Sequence, residues 1–431
     1  MIYVFNLLTG RKITPFILGN LWVHCRTRML YDPPQHPIAI NVDFPSTNVY
    51  NGTTLRLSLA TEKEMSITSL PSKLTHDITN RLQHFSDHLA IFQSKINVEY
   101  TMAEKKIKWG ILGTGSIAHK FATALHVVDN SELYAVGSRT VETAKKFSGE
   151  FNIPKSYGSY QGLVNDPAVD VVYIGTPHNL HLENTLLALD HDKHVLCEKP
   201  MGVNLKEATM MIKKAKEKNL FFMEALWSRF LPNIIKTKEL VDSGEIGNVK
   251  LLTAFFSIKS ENGPEHRHYN LDLCGGTILD IGIYNVFLSL LLLGRPKTFS
   301  AIAGLSEQGG DNTCSYTFKY ANDTLAIMYS SFLANPAVVA EIHGDKGKIF
   351  LDHLWFCPGK VKVIYNNGKE RIFEFDFKNN GYEYEAIEVA QCIRAGKTES
   401  LLMSWNDSLQ LIGMLDAIRK ECGVVYPKHD L

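Results

Sequence analysis

A glycine turn between an apolar strand and an amphipathic helix constrains this chain more than any other segment. Residues 107 to 120 read IKWGILGTGSIAHK, in which Gly113, Gly115 and Ala118 fit G-x-G-x-x-A, with Thr114 between the glycines. The first glycine permits the tight turn, and the second removes the side chain that would keep a phosphate away. Ala118 lets the helix pack closely on the strand. The N–H groups of Ser116 and Ile117 open that helix, where the positive end of its dipole meets negative charge. A purely structural strand–helix corner would carry the same glycines, so context decides. Ile107, Trp109 and Ile111 alternate before the turn, Ile117, Phe121, Ala124, Leu125 and Val128 follow at helical spacing, and a second strand spans Glu132 to Val136. The pattern predicts a dinucleotide cradle.

The rest of the composition excludes several classes of function. Among 431 residues, 45 Lys and Arg balance 45 Asp and Glu, so no overall field favours nucleic acid or an anionic membrane. A small molecule is the expected partner. Seven cysteines without a C-x-x-C fit free thiols in a reducing compartment better than a disulfide framework. The apolar run LSLLLLG at 288 to 294 is shorter than the ~18 residues a membrane span needs. The first 31 residues hold four Lys or Arg and no acid, as a transit peptide would, but they lack Ser and a sustained apolar periodicity. The final Lys428-His429-Asp430-Leu431 has only a faint likeness to a lumenal retrieval signal, and it reads as an ordinary polar tail. These features place the protein in the cytoplasm, with organelle targeting by the N-terminal extension as the lesser alternative.

Three regions follow from the patterning. Residues 1–102, with PPQHP at 33 to 37 and one possible helix near Asp77 to Phe92, read as a poorly ordered extension, and Met102 is a plausible start of the compact protein. From 103 to 225, strands (IKWGIL, ELYAVG, VDVVYIG, HVLCEK, LFFMEA) alternate with helices, which predicts a doubly wound parallel α/β sheet. From 226 to 431 successive strand-like runs, a GDKG hairpin signal at 344 to 347 and two closing helices at about 382 to 395 and 404 to 420 predict an α+β domain. Its sheet should be large and mainly antiparallel.

Several polar residues stand where such folds bind ligands. Ser138 and Arg139 end the second strand, where a carboxylate usually selects NAD. A hydroxyl and a guanidinium instead suit the 2′-phosphate of NADP, although Arg139 would also serve as an ordinary surface charge. The third strand runs into Thr176-Pro177-His178-Asn179-Leu180-His181 and the fourth into Glu198-Lys199-Pro200. Zinc at His178 and His181 fails for want of a third matched ligand. Asp280 and Tyr284, four apart after Gly275-Gly276-Thr277, share a helical face and could meet one ligand. Taken alone, they also suit a helix-start acid and a core aromatic.

Together and in this order, GTGSIA, TPHNLH, EKP, MEALW, GGTILDIG and GDKGKI make residues 105 to 420 resemble the glucose-fructose oxidoreductase/inositol dehydrogenase (Gfo/Idh/MocA) family. Tyr284, where many relatives carry histidine, and EALWSRF at 224 to 230 narrow the likeness to its dimeric dihydrodiol dehydrogenases, also described as NADP-dependent D-xylose dehydrogenases. The resemblance implies a Rossmann domain followed by an open-faced sheet, with the nicotinamide between them. It implies Tyr284 as proton acceptor from the substrate hydroxyl, Lys199 as the cation that lowers the tyrosine pKa, and Asp280 as an orienting residue. Whether Lys199 or Tyr284 passes the proton stays open.

The resemblance also implies His181 beside the nicotinamide, Glu198 and Pro200 around it, and Trp227, Phe256 and Phe356 as an aromatic substrate wall. For Phe256 and Phe356, core packing is an equal alternative. Arg267, in the polar loop ENGPEHRHYN, stays outside the catalytic set. The expected activity is NADP-dependent oxidation of a vicinal diol, giving a catechol from a trans-dihydrodiol or a lactone from D-xylose, by a homodimer joined through its C-terminal sheet. Another sugar or polyol dehydrogenase of the family and a non-catalytic NADPH sensor are the alternatives; intact Lys199 and Tyr284 speak against the sensor.

Overall fold

The computed structural model describes residues 106–263 and 265–431, with short strand segments before them. The chain divides into two units, Met1–Ala103 and Glu104–Leu431. In the first unit, Gly10–Lys12 pairs with Arg26–Arg28, Phe16–Leu18 with Leu21–Val23, and Ile40–Asn41 with Ser58–Leu59, all antiparallel. The expected lack of order over 1–102 and the helix near Asp77 to Phe92 otherwise lie outside the described residues.

The second unit begins with six parallel strands: β1 (Ile107–Leu112), β2 (Ser131–Gly137), β3 (Lys155–Tyr157), β4 (Val171–Ile174), β5 (His194–Glu198) and β6 (Phe222–Ala225). Their order is β6-β5-β4-β1-β2-β3, so the strand sequence reverses between β1 and β4. Ligands bind at such a reversal. The loops after β1 and β4 carry GTGSIA and TPHNLH. Helix α1 (Ser116–Leu125) buries Ala118, Phe121, Ala122, Ala124 and Leu125, and Phe121 stacks on Tyr173 of β4 at 3.8 Å. Strand β3 is an addition to the expected set: its KSY sequence has no apolar run, because an edge strand half open to water needs none.

The second sheet has eight strands: β7 (Val249–Ser257), β8 (Thr298–Leu305), β9 (Asp311–Lys319), β10 (Leu325–Ser331), β11 (Ala340–Gly344), β12 (Gly347–Leu351), β13 (Val361–Tyr365) and β14 (Glu370–Phe373). The order is β8-β9-β10-β7-β11-β12-β13-β14. The expected hairpin at GDKG joins β11 to β12, with His343 paired to Lys348. One neighbour pair departs from the antiparallel expectation: β7 runs parallel to β10. Apolar alternation fixes which face of a strand is buried, but not its direction. One sheet face is buried, with Cys314, Tyr316, Phe318, Ala326 and Met328 inside, while Ile302, Ile327 and Ile372 stand exposed on the other.

Helical segments cover the buried face. The stretch Leu271–Leu293 has the length and apolarity of a membrane span, yet 83% of its most apolar window is buried inside the protein. It contains a π-helical turn, Ile278–Gly282, followed by an α-helix, Ile283–Leu293. Helix Trp405–Cys422 starts with a Ser404–Asp407 capping box. The polar C-terminus is docked rather than loose: buried Arg419 meets Asp430 at 2.8 Å, and His429 Nδ1 lies 2.6 Å from Glu207 Oε1.

Candidate active site

The glycine turn has the form a pyrophosphate needs. Gly113 takes φ +104°, and a Cβ there would lie 3.1 Å from the Gly175 carbonyl at the end of β4, so both conformation and contact require glycine. At Gly115 an added Cβ would meet nothing within 4 Å, leaving open space beside the backbone. Helix α1 then starts with no side-chain cap and no acidic residue in its first turn. Its first N–H groups remain available to an anion. These residues fit a dinucleotide.

At the end of β2, the Ser138 hydroxyl lies 2.7 Å from Thr143 Oγ1 and 3.3 Å from Thr114 Oγ1, tying the glycine loop to the start of the next helix. Arg139 follows it, exposed. The strand end thus carries hydroxyls and an exposed guanidinium.

His181 holds the neighbouring loops together. It is fully buried, with Nδ1 2.7 Å from the Pro200 carbonyl and Nε2 2.9 Å from the Thr176 carbonyl. Burial pushes its pKa down, against the pull of those two carbonyls. Thr176 also accepts from Asn184 Nδ2 at 3.1 Å, while Pro177 is exposed at the rim. Glu198 turns inward: the Tyr173 hydroxyl donates to it at 2.5 Å, and burial raises its carboxyl to about 7. Among the described residues, no cluster of three or more His, Cys, Asp or Glu is placed to hold a metal ion.

Lys199 and Asp280 meet across 81 positions of sequence. Lys199 leaves the end of β5 and donates to the Asp280 carbonyl at 2.5 Å and to its Oδ1 at 3.2 Å. Arg267 reaches the same oxygen at 3.2 Å, and His268 Nε2 lies 3.8 Å from Oδ2. Burial alone would raise the Asp280 carboxyl, but Lys199, Arg267 and His178 hold it far below the usual carboxylate range. Desolvation lowers His268 to about 4 despite that carboxylate. The π-helical turn and the helix that follows it bring Asp280 and Tyr284 to the same Lys199 ammonium.

Tyr284 departs from its expected electrostatics. Its hydroxyl accepts from Trp227 Nε1 at 3.0 Å. The Lys199 ammonium sits over the tyrosine ring, 5.1 Å from its centroid, where it makes a cation–π contact. Burial, with the Glu198 carboxylate next, therefore pushes the Tyr284 pKa well above its ordinary value, and the Trp227 bond offsets only part of this. The predicted lowering by Lys199 is absent because the cation addresses the ring and Asp280.

The predicted aromatic residues pack together in one buried cluster. Phe256 stacks on Phe356 at 4.0 Å, and Tyr284 lies 5.0 Å from Phe356. Trp227 stacks on Tyr382 at 4.3 Å with the planes 5° apart. Sequence reasoning missed Tyr382, which precedes the helix Glu383–Arg394, and it kept Arg267, open between ligand contact and a solvated loop charge, outside the catalytic set. No local pattern marks either residue: each reaches the site through a fold-back of the chain.

Residues 107–226 match the family model described as "Oxidoreductase family, NAD-binding Rossmann fold", and residues 234–350 match the GFO/IDH/MocA C-terminal domain. A trans-1,2-dihydrobenzene-1,2-diol dehydrogenase of Xenopus tropicalis is 36% identical, covering 74% of this chain and 99% of that protein. The Homo sapiens protein of the same name is 33% identical over 75% and 98%. Among solved structures, KijD10, a 3-ketoreductase from Actinomadura kijaniata in complex with NADP and TDP-benzene, matches with a TM-score of 0.66 at 25% identity. That match covers 74% of this chain and 98% of the other. An aldose-aldose oxidoreductase from Caulobacter crescentus shares the fold, with a TM-score of 0.67 at 24% identity and the same coverage.

Proposed function

The chain belongs to the GFO/IDH/MocA family of NAD(P)-binding oxidoreductases, and from that premise we propose that it is an NADP-dependent dehydrogenase of vicinal diols. The observation that carries this reading is the meeting of Lys199, Asp280 and Tyr284 beside a wall of aromatic rings. A flat, apolar trans-dihydrodiol suits that wall better than a hydrated sugar, since rings bury apolar faces; D-xylose is the second substrate to test. A nicotinamide held by the glycine cradle would supply the acceptor for a hydride from the carbinol carbon. The hydroxyl proton leaves through the protein, so that diol and NADP⁺ become hydroxyketone, NADPH and H⁺; the dihydrodiol product then tautomerises to a catechol.

Each residue has a task in this scheme. Gly113, Gly115 and the first turn of α1 receive the pyrophosphate, with Thr114, Ser116, Ile117 and Ala118 shaping the cradle. Thr176, Pro177, His181 and Glu198 form the loops at the nicotinamide end. Tyr284 exchanges the proton with the substrate oxygen, Lys199 offers positive charge to that oxygen, and Asp280 anchors Lys199. Trp227, Phe256 and Phe356 hold the ring. The exposed Ile302, Ile327 and Ile372 support a homodimer joined through the open face of the second sheet. Free thiols among the described cysteines fit the cytoplasm.

Cofactor choice tests the site directly. Arg139→Ala raises the dissociation constant for NADPH by about tenfold or more, as expected for the loss of a charged phosphate contact, and changes that for NADH by less than about twofold. Titration of nucleotide fluorescence measures both. An equal loss for the two nucleotides sinks the 2′-phosphate role.

A further inference from the structure

Behind the cleft, a buried carboxylate holds the start of the turn that carries Asp280. Asp311, the first residue of β9, is fully buried. Its Oδ2 accepts from the Thr277 hydroxyl at 2.6 Å and from the Ile278 N–H at 2.8 Å. Those donors open the π-helical turn Ile278–Gly282, whose N-cap residue supplies no side-chain cap of its own. Gly276, at φ +135°, makes the approach possible: a Cβ there would collide with Asp311 Oδ1. The Thr277 hydroxyl also accepts from Ser330 Oγ at 3.0 Å, and Ser330 bonds the Tyr316 hydroxyl. That hydroxyl lies against Gly282, where any side chain would collide with it. The sheet thus grips both ends of the turn, through Asp311 at Thr277 and through Tyr316 at Gly282.

We propose that Asp311 is a positioning residue for catalysis: by capping Thr277 and Ile278, it sets where Asp280 meets Lys199 and where Tyr284 meets Trp227. The carboxylate gains little from its surroundings. The titratable groups facing it are Cys314 and Tyr316 on its own strand, and Cys422 and Tyr426 from the C-terminal helix and tail. Burial pushes its carboxyl up to about 6, against the lowering by the Thr277 and Ile278 bonds. A raised carboxyl pKa favours the folded state fully only below the unfolded value of about 4, and that benefit is lost as pH rises to about 6. An amide oxygen would accept the same two bonds without the charge. The acceptor geometry, rather than the charge, is the working feature.

The inference rests on the dehydrogenase reading for its kinetics, so the test adds a readout independent of turnover. Asp311→Ala lowers kcat by about 30-fold and leaves NADPH affinity within about twofold, since a misplaced catalytic group costs up to ~100-fold. Hydrogen exchange of the 278–284 amides becomes about tenfold faster or more in the same variant, as a freed helix start frays. Asp311→Asn returns both values to within about threefold of wild type and raises Tm above pH 6. Wild-type kcat and exchange in Asp311→Ala, or an Asn variant as impaired as Ala, overturn the proposal. If Asp311→Ala does not fold, Thr277→Val replaces it: loss of the hydroxyl's bonds to Asp311 and Ser330, with the Ile278 bond kept, lowers kcat about fivefold and speeds exchange at 278–280, and no change in either refutes the idea. An inactive wild type would defeat the dehydrogenase reading, and the exchange measurement would still decide the role of Asp311.

Discussion

Tyr284→Phe lowers kcat/KM for diol oxidation by about a thousandfold, or about 4 kcal/mol of transition-state stabilisation, the middle of the range for a lost acid–base group. NADPH affinity stays within about twofold, because the hydroxyl bonds Trp227 rather than the glycine cradle. The ring remains packed against Phe256 and Phe356, so the fold keeps its aromatic wall. Because burial holds the tyrosine proton tightly, the resting hydroxyl is ready to donate to a carbonyl, whereas oxidation needs it ionised. Oxidation in the wild-type protein therefore speeds up as pH rises through the alkaline range, and carbonyl reduction does best near or below neutrality. Steady-state kinetics in both directions, with nucleotide titration alongside, checks the prediction. A Phe variant with wild-type turnover removes Tyr284 from the chemistry.

Replacing Lys199 by methionine has the second large effect, and it acts on both rate and stability. The rate falls about 100- to 1,000-fold, the usual cost of deleting a preorganised charge at the reacting oxygen. Stability falls because Asp280 stays buried with only Arg267, itself half exposed, as a close cation partner. The loss lies near the lower end of that for breaking a buried pair, about 3 kcal/mol. The pH dependence has a definite sign. In the wild type, the Asp280 carboxyl is held far below its unfolded value of about 4, so its ion pairs contribute fully above that pH and fade only in strong acid. In the methionine variant the carboxyl pKa rises, and the protein loses most at neutral pH, where an underpaired charge stays buried. The Tm difference between the two proteins therefore narrows as pH falls and Asp280 takes up a proton. A Tm difference that stays constant from pH 7 into the acid range below about 4 contradicts the electrostatic account.

The Rossmann half was legible because each of its signals is local. IKWGIL, GTGSIA and the Ile117–Val128 stripe each dictate their element within a few residues, and buried parallel strands read as continuous apolar runs. Strand β3 escaped notice because KSY at an exposed edge carries no such run. The direction of β7 beside β10 was illegible for another reason: parallel and antiparallel strands share one alternation. Within the site, Lys199, Asp280 and Tyr284 were identified as a group, but their electrostatics were not. Whether Lys199 addresses the tyrosine hydroxyl or its ring is a matter of ångströms, and here Asp280 draws the ammonium away. Tyr382, Arg267 and Asp311 serve residues between 13 and 155 positions distant, a relation that only tertiary structure displays.

NADP-linked hydride transfer from a diol is read in nicotinamide absorbance. The wild-type protein, mixed with NADP⁺ and a trans-dihydrodiol of benzene, should produce NADPH and catechol in equal amounts, faster than with NAD⁺. D-xylose in its place should react more slowly or not at all. A protein that binds NADPH yet produces no absorbance change with any diol or aldose, in either direction, contradicts the account.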